Sequence, residues 1–144
     1  MTSIDKNFDN NLNKQMPQGE KKPLSLEERL DKLFAKCKEA FVSELDRRLP
    51  QNGTFAQIGT ALKIPGTNNV AILIISADSE DPKEKRNLQV GVKHQNSDRL
   101  ISNYILNGTK QEIIDYLSNK KNDEEIKFLI KTLSKETDRY YSSL

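Results

Sequence analysis

Histidine and cysteine occur once each in this chain, as His94 and Cys37, and tryptophan does not occur at all. A zinc cage built from several histidines or cysteines is therefore impossible, and so is an intrachain disulfide. One charge sign does not dominate either. The 23 basic and 21 acidic side chains leave a formal net charge of +2. Such a balance gives no electrostatic case for nucleic acid or for an anionic membrane surface. The longest apolar run, Val70 to Ile75, is far short of the roughly 20 residues a membrane-spanning helix needs. Met1 to Phe8 has no apolar core of the signal-peptide kind, so a cytoplasmic location is the expectation. The Asn-Gly-Thr triplets at Asn52 and Asn107 then read as turns.

What is present is organised around Val70-Ala71-Ile72-Leu73-Ile74-Ile75-Ser76-Ala77. β-Branched residues dominate it and both faces of the extended chain are apolar, the mark of a central strand. Residues 1–23 read as a disordered tail. They are rich in Asn, Gln, Lys and Asp, and they lack apolar periodicity. Residues 24–144 read as one domain. It begins with a capping box at Ser25-Leu26-Glu27-Glu28, followed by Leu26, Leu30, Leu33, Phe34, Cys37, Phe41 and Leu45 at helical spacing. Pro50 and Asn52-Gly53 end that helix.

Four strands follow. The first spans about Thr54 to Ile64, with Ala56, Ile58 and Leu62 on one side. Pro65-Gly66-Thr67-Asn68-Asn69 connects it tightly to the central strand. Leu88, Val90 and Val92 mark the third strand, and Leu100 to Leu106 the fourth. Short links between successive strands imply an antiparallel meander. A second capping box, Thr109-Lys110-Gln111-Glu112, opens a short helix carrying Ile113, Ile114 and Leu117. Asn122-Asp123-Glu124-Glu125 is read as the start of a last helix with a stripe of Ile126, Leu129, Ile130, Leu133, Thr137 and Tyr140. The fold class is a two-layer α+β domain, α-β-β-β-β-α-α, with an N-terminal helix, a four-stranded antiparallel sheet and two C-terminal helices.

No catalytic set assembles from these residues. Cys37 sits in the apolar stripe of the first helix, where a thiol behaves as a small hydrophobe, so a dyad with His94 is not expected. His94 closes the third strand beside a polar turn and reads as an exposed imidazole. Asp78, Glu80 and Asp81 lack the ligand order of a calcium loop, and Lys83, Lys85 and Arg86 offset their charge. Gly53 and Gly59 are not followed by the Lys-Ser or Lys-Thr pair of a phosphate-binding loop. Neither catalytic nor metal-ligating nor cofactor-binding residues are assigned, and the chain is not read as an enzyme.

The informative feature is the second face of the sheet. Phe55, Gln57, Gly59, Ala61 and Lys63 on strand one, with Gln89, Gly91 and Lys93 on strand three, point away from the helices. Glycines and small residues there permit close approach of another surface. Helices at the chain ends suffice to cover one face, which leaves the apolar residues of the central strand uncovered on the other. The expectation is a small non-enzymatic protein-interaction module of adaptor, chaperone or immunity type, self-associating as a homodimer through that face, with Gly59 and Gly91 in or beside the contact. The alternative is a single-stranded nucleic-acid binder that stacks bases on Phe55 or Tyr104 with Lys63, Lys93 and Arg99 near phosphates. Balanced charge and a supply of only five Phe and four Tyr weigh against it.

Overall fold

The computed structural model describes residues 23–48, 57–78, 80–81 and 84–143. All but the last residue of the tail assigned to residues 1–23, the Pro50 and Asn52-Gly53 stop, and the start of the first strand at Thr54 lie outside these residues. Helix α1 (Leu26–Arg48) is followed by strands β1 (Gln57–Lys63), β2 (Asn69–Ala77), β3 (Arg86–His94) and β4 (Ile101–Gly108). Helices α2 (Lys110–Ser118) and α3 (Lys120–Ser142) complete the chain. The order is the expected α-β-β-β-β-α-α, and the strands form one antiparallel meander, β1-β2-β3-β4.

Local chemistry sets the helix starts. The Ser25 hydroxyl accepts the Glu28 amide at 3.1 Å, while a Glu28 carboxylate oxygen accepts the Ser25 amide at 2.9 Å. Thr109 and Glu112 repeat the same reciprocal pair at the head of α2. Each box satisfies amides that the first helical turn otherwise leaves without partners. The start of α3 differs from the sequence reading. Asn119 ends α2 and also caps α3 through its side chain, which accepts from the Lys121 amide at 3.0 Å. Asn122, read as the opening residue, instead donates back to the Tyr116 carbonyl at 2.8 Å. Its side chain closes the α2–α3 corner.

The connection from β1 to β2 is a tight turn in which Gly66 takes a positive φ of 77°. A side chain at that position is strained by the backbone and would also strike Leu26, whose Cδ1 lies 2.9 Å from the place of a Cβ. Thr67 ties the turn together by donating its hydroxyl to the Ile64 carbonyl at 2.9 Å. At the other end of the sheet β3 and β4 slip by one residue between Leu88 and Gln89. Leu106 faces Leu88, Tyr104 faces Gln89, and Ile105 is the extra residue of a bulge.

Period two divides the sheet. Ala71, Leu73 and Ile75 of β2, with Leu62 of β1 and Leu88, Val90 and Val92 of β3, join one buried cluster. Leu30, Phe34, Cys37, Phe41 and Leu45 of α1 enter the same cluster, as do Ile113 and Leu117 of α2 and Ile126, Ile130 and Leu133 of α3. All three helices therefore cover the same face of the sheet. Within that layer α1 packs on β1 and α3 on β3. Pairs Lys131–Glu27, Lys127–Asp31 and Lys38–Asp123 run in opposite sequence directions along α1 and α3, so the two helices lie antiparallel.

Asn69, the first residue of β2, is fully buried and anchors the sheet to α3. Its amide nitrogen lies 2.8 Å from the Ser134 hydroxyl and 2.8 Å from an Asp138 carboxylate oxygen. Its own oxygen has no partner.

Candidate functional site

The even-numbered residues of β2 point away from the helices, and the ladder places their neighbours in rows across the sheet. Lys63, Val70 and Lys93 form the first row, followed by Ala61, Ile72 and Gly91, and then by Gly59, Ile74 and Gln89. Ser76 and Asn87 begin the polar end. Val70, Ile72 and Ile74 are partly exposed, while Gly59, Ala61 and Lys63 are exposed. On β4, Ser102 and Tyr104 extend the second and third rows. Tyr104 is 60% exposed. The outer face is thus apolar along the β2 column and polar toward its ends.

Of the eight residues assigned to this surface from the sequence, Gly59, Ala61, Lys63, Gln89, Gly91 and Lys93 occupy outward register positions of the sheet. Gln57 pairs with Ser76 in the backbone ladder. Phe55 lies outside the described residues. Gly91 differs from the expectation in one respect. It is buried, because Leu100 folds over it: a Cβ built on Gly91 would meet Leu100 Cδ1 at 2.8 Å. The space left by the missing side chain is filled by this chain, and Leu100, itself 39% exposed, forms the surface there. Above Gly59 the nearest group to such a Cβ is the Ile72 Cγ2 methyl, at 3.3 Å. Apolar character alone puts Leu100 in the fourth strand, whereas that strand begins at Ile101 and Leu100, on the β3–β4 link, crosses to the glycine.

Asp78 supplies the charged group at the far end, and the sequence reading saw it only as part of a mixed-charge loop. Asp78 continues the outward series of β2. One of its oxygens accepts the amides of Asp81 at 2.7 Å and Glu80 at 3.0 Å, and the other accepts the Asn107 side chain at 2.8 Å. The Asp81 amide bond is the main cause that holds this carboxyl below the usual carboxylate range. The bonds from Glu80 and Asn107 and the nearby Lys85 charge assist. Asn107 also donates to Asn87 at 2.6 Å, which knits β4 and β3 to the Asp78 loop. The outer face therefore carries charge at both ends of the strands, Lys63 and Lys93 at one and Asp78 with Lys85 beside it at the other.

The residues tested for chemistry stay apart. Cys37 is 5% exposed and donates its thiol to the Thr60 carbonyl at 3.4 Å. Burial pushes the thiol up to about 11. His94 corrects the reading of an exposed imidazole: only 9% of it is accessible. Tyr141 stacks on its ring at 3.7 Å with an interplanar angle of 3°, and its Nδ1 accepts the Asn96 amide at 3.0 Å. The cause is long-range, since the end of α3 returns over the β3–β4 link. Arg99, offered as a phosphate contact, lies over the Tyr140 ring at 4.2 Å on the same helix end. Among the described residues no group of three His, Cys, Asp or Glu side chains is arranged to hold a metal ion. No helix among them is long and apolar enough to cross a membrane.

No protein-family model, no curated protein and no solved structure matches this chain.

Proposed function

We propose that this protein is a small non-enzymatic interaction module that self-associates as a homodimer through the outer face of its sheet. One observation supports the reading above the others. Val70, Ile72 and Ile74 form an apolar column on the face opposite the three helices, where among the described residues no helix packs. A sheet face meant only for water alternates to polar residues there. β3 obeys that rule with Asn87, Gln89 and Lys93, and β2 does not. A two-fold contact covers the column with the same column of a second copy, so one patch serves both sides.

Sedimentation equilibrium tests this directly. The unmodified protein is expected to show a monomer–dimer equilibrium in the micromolar range. Ile74→Arg, which sets a charge in the middle of the column, is expected to sediment as a monomer with an unchanged helical signal. A monomer at all concentrations up to the hundred-micromolar range overturns the proposal.

A further inference from the structure

β1 lies at the edge of the sheet, with β2 on one side and, among the described residues, no strand on the other. The β1–β2 ladder fixes which of its backbone groups are engaged. The Ile64 amide donates to the Asn69 carbonyl at 3.0 Å, so by period two Leu62 and Thr60 turn their N–H and C=O groups toward β2. Those of Lys63, Ala61 and Gly59 point the other way, out of the sheet. Nothing on the strand blunts that edge. It has no proline and no bulge, Gly59 and Ala61 leave it open, and Lys63 is its one charge. The opposite edge, β4, is broken by the bulge at Ile105. An unprotected row of alternating donors and acceptors is a template for another extended chain.

Basic groups stand on both sides of this edge. On α1, Arg29 and Lys36 share a flank with Leu33 and Ala40, at spacings of three and four, and both cations are exposed. The Cys37 thiol reaches the Thr60 carbonyl, which holds this length of helix over the strand. Lys63 comes from the outer side. Arg29, Leu33 and Lys63 meet in one cavity of about 410 Å³, which ends on the 65–68 turn and is lined by no carboxylate. Glu27 and Asp31 of α1 lie on its other flank, where Lys131 and Lys127 of α3 take them. Glu44, toward the far end of the basic flank, has a partner of its own. Among the described residues Arg29, Lys36 and Lys63 have no ion pair.

We propose that the β1 edge binds an extended acidic segment of another protein. The segment adds as a further strand, with carboxylates against Arg29 and Lys36 on the helix side and Lys63 on the outer side. The backbone selects a polypeptide, since the edge presents N–H and C=O in alternation and a phosphate backbone supplies acceptors only. The unpaired cations select acid. A second copy does not fit. Its β1 carries no acid, and α1 packs on β1. Edge-to-edge pairing would set two α1 helices about one strand spacing apart, ~4.8 Å, where packed helices stand about 8–10 Å apart. Residues 1–22 of this chain match the site badly, with four lysines against three acids. The edge is distinct from the apolar column of β2, and the site does not require the self-association proposed above.

Amide hydrogen exchange read by NMR tests the edge directly. The probe is the peptide Thr-Glu-Val-Glu-Asp-Glu-Thr, blocked at both ends, which carries acids on both faces of the extended chain. In the free protein the amides of Gly59, Ala61 and Lys63 are expected to exchange fast, and those of Thr60 and Leu62 slowly. Bound peptide is expected to slow the first three. A fluorescent copy followed by anisotropy is expected to bind, with affinity falling roughly tenfold in Arg29→Glu and falling also as salt is raised. The same peptide with lysine at every acidic position is expected not to bind. Two further versions are N-methylated at alternate residues, one in each phase. The version whose methyl groups face β1 is expected to bind at least about tenfold more weakly, and the other like the parent. Failure of the acidic peptide to bind, or binding that leaves the three amides unchanged, overturns the proposal. So does equal binding of both N-methylated versions and the parent, which reduces the contact to charge alone. Oligothymidylate that binds as tightly as the peptide makes the site one for polyanions and overturns the peptide assignment. Amides that are already slow in the unmodified chain and quicken when residues 1–22 are removed also overturn it, because this chain's own segment then holds the edge.

Discussion

Replacing Cys37 by alanine should weaken the fold at neutral pH and cease to weaken it in strong alkali. The thiol sits among Phe34, Phe41 and the sheet at 5% exposure, so its removal leaves a small void. Loss of one methylene-sized group and its packing costs about 1–2 kcal/mol. The native chain carries a second, pH-dependent contribution. The folded thiol ionises only near 11, against an ordinary value of 9.0. The folded state therefore keeps a proton that the unfolded chain gives up, and this stabilisation is whole below pH 9 and lost as the pH rises toward 11. Linkage across that window removes about 2 kcal/mol by pH 10.5 at 1.36 kcal/mol for each pH unit. Cys37→Ala carries no such group.

Urea denaturation of both proteins at several pH values from 7.5 to 10.5 isolates the effect, because the other titrating groups cancel in the difference. The native advantage of about 1–2 kcal/mol at neutral pH should vanish or reverse at the alkaline end. A difference that stays constant with pH would refute the burial argument, and so would rapid labelling of the folded protein by a thiol reagent near pH 8. Serine behaves differently from alanine. A Cys37→Ser hydroxyl inherits the Thr60 carbonyl as its acceptor, so its cost falls near 1 kcal/mol, the low end for a buried hydroxyl.

Two further substitutions probe how the layers are joined. Asn69→Ala removes the amide that bridges β2 to Ser134 and Asp138, and is expected to cost about 1–3 kcal/mol in urea unfolding, since the buried Ser134 hydroxyl loses its partner. Thr109→Ala breaks the capping box of α2 and is expected to cost about 1 kcal/mol, with Thr109→Ser restoring most of it.

The fold was legible wherever the signal is local. Capping boxes act over three residues, and both were read from the chain as written. The alternation of Leu88, Val90 and Val92 against Gln89, Gly91 and Lys93 is a property of any pleated strand, so the two faces could be sorted without coordinates. Failures came where a partner is distant in sequence. Asn69 reads as the last polar residue of a turn, yet its partners lie 65 and 69 positions away on α3. His94 looks like a strand-end imidazole until Tyr141 arrives to cover it. Gly91 invites a partner in one dimension and is occupied by Leu100 in three. At the start of α3 the error was local, because Asn119 and Asn122 are both credible caps and only the path from α2 decides between them.

The two parities of β2 carry separate information, and this separation is what makes the functional reading testable. Ala71, Leu73 and Ile75 lie in the buried core cluster, so a change there acts on stability first. Val70, Ile72 and Ile74 touch water in the monomer, so a polar replacement there removes no core contact beneath the helices. Surface substitutions away from special features move stability by about 0.5 kcal/mol or less. Dimerisation and unfolding can therefore be perturbed independently on one strand, by choosing odd or even positions. An even-position variant that loses association while keeping its unfolding midpoint assigns the outer column to binding. An even-position variant that loses midpoint as well, at protein concentrations too low for the unmodified chain to associate, shows that the column is part of the folding core, covered by the chain itself, and the homodimer is then not its purpose.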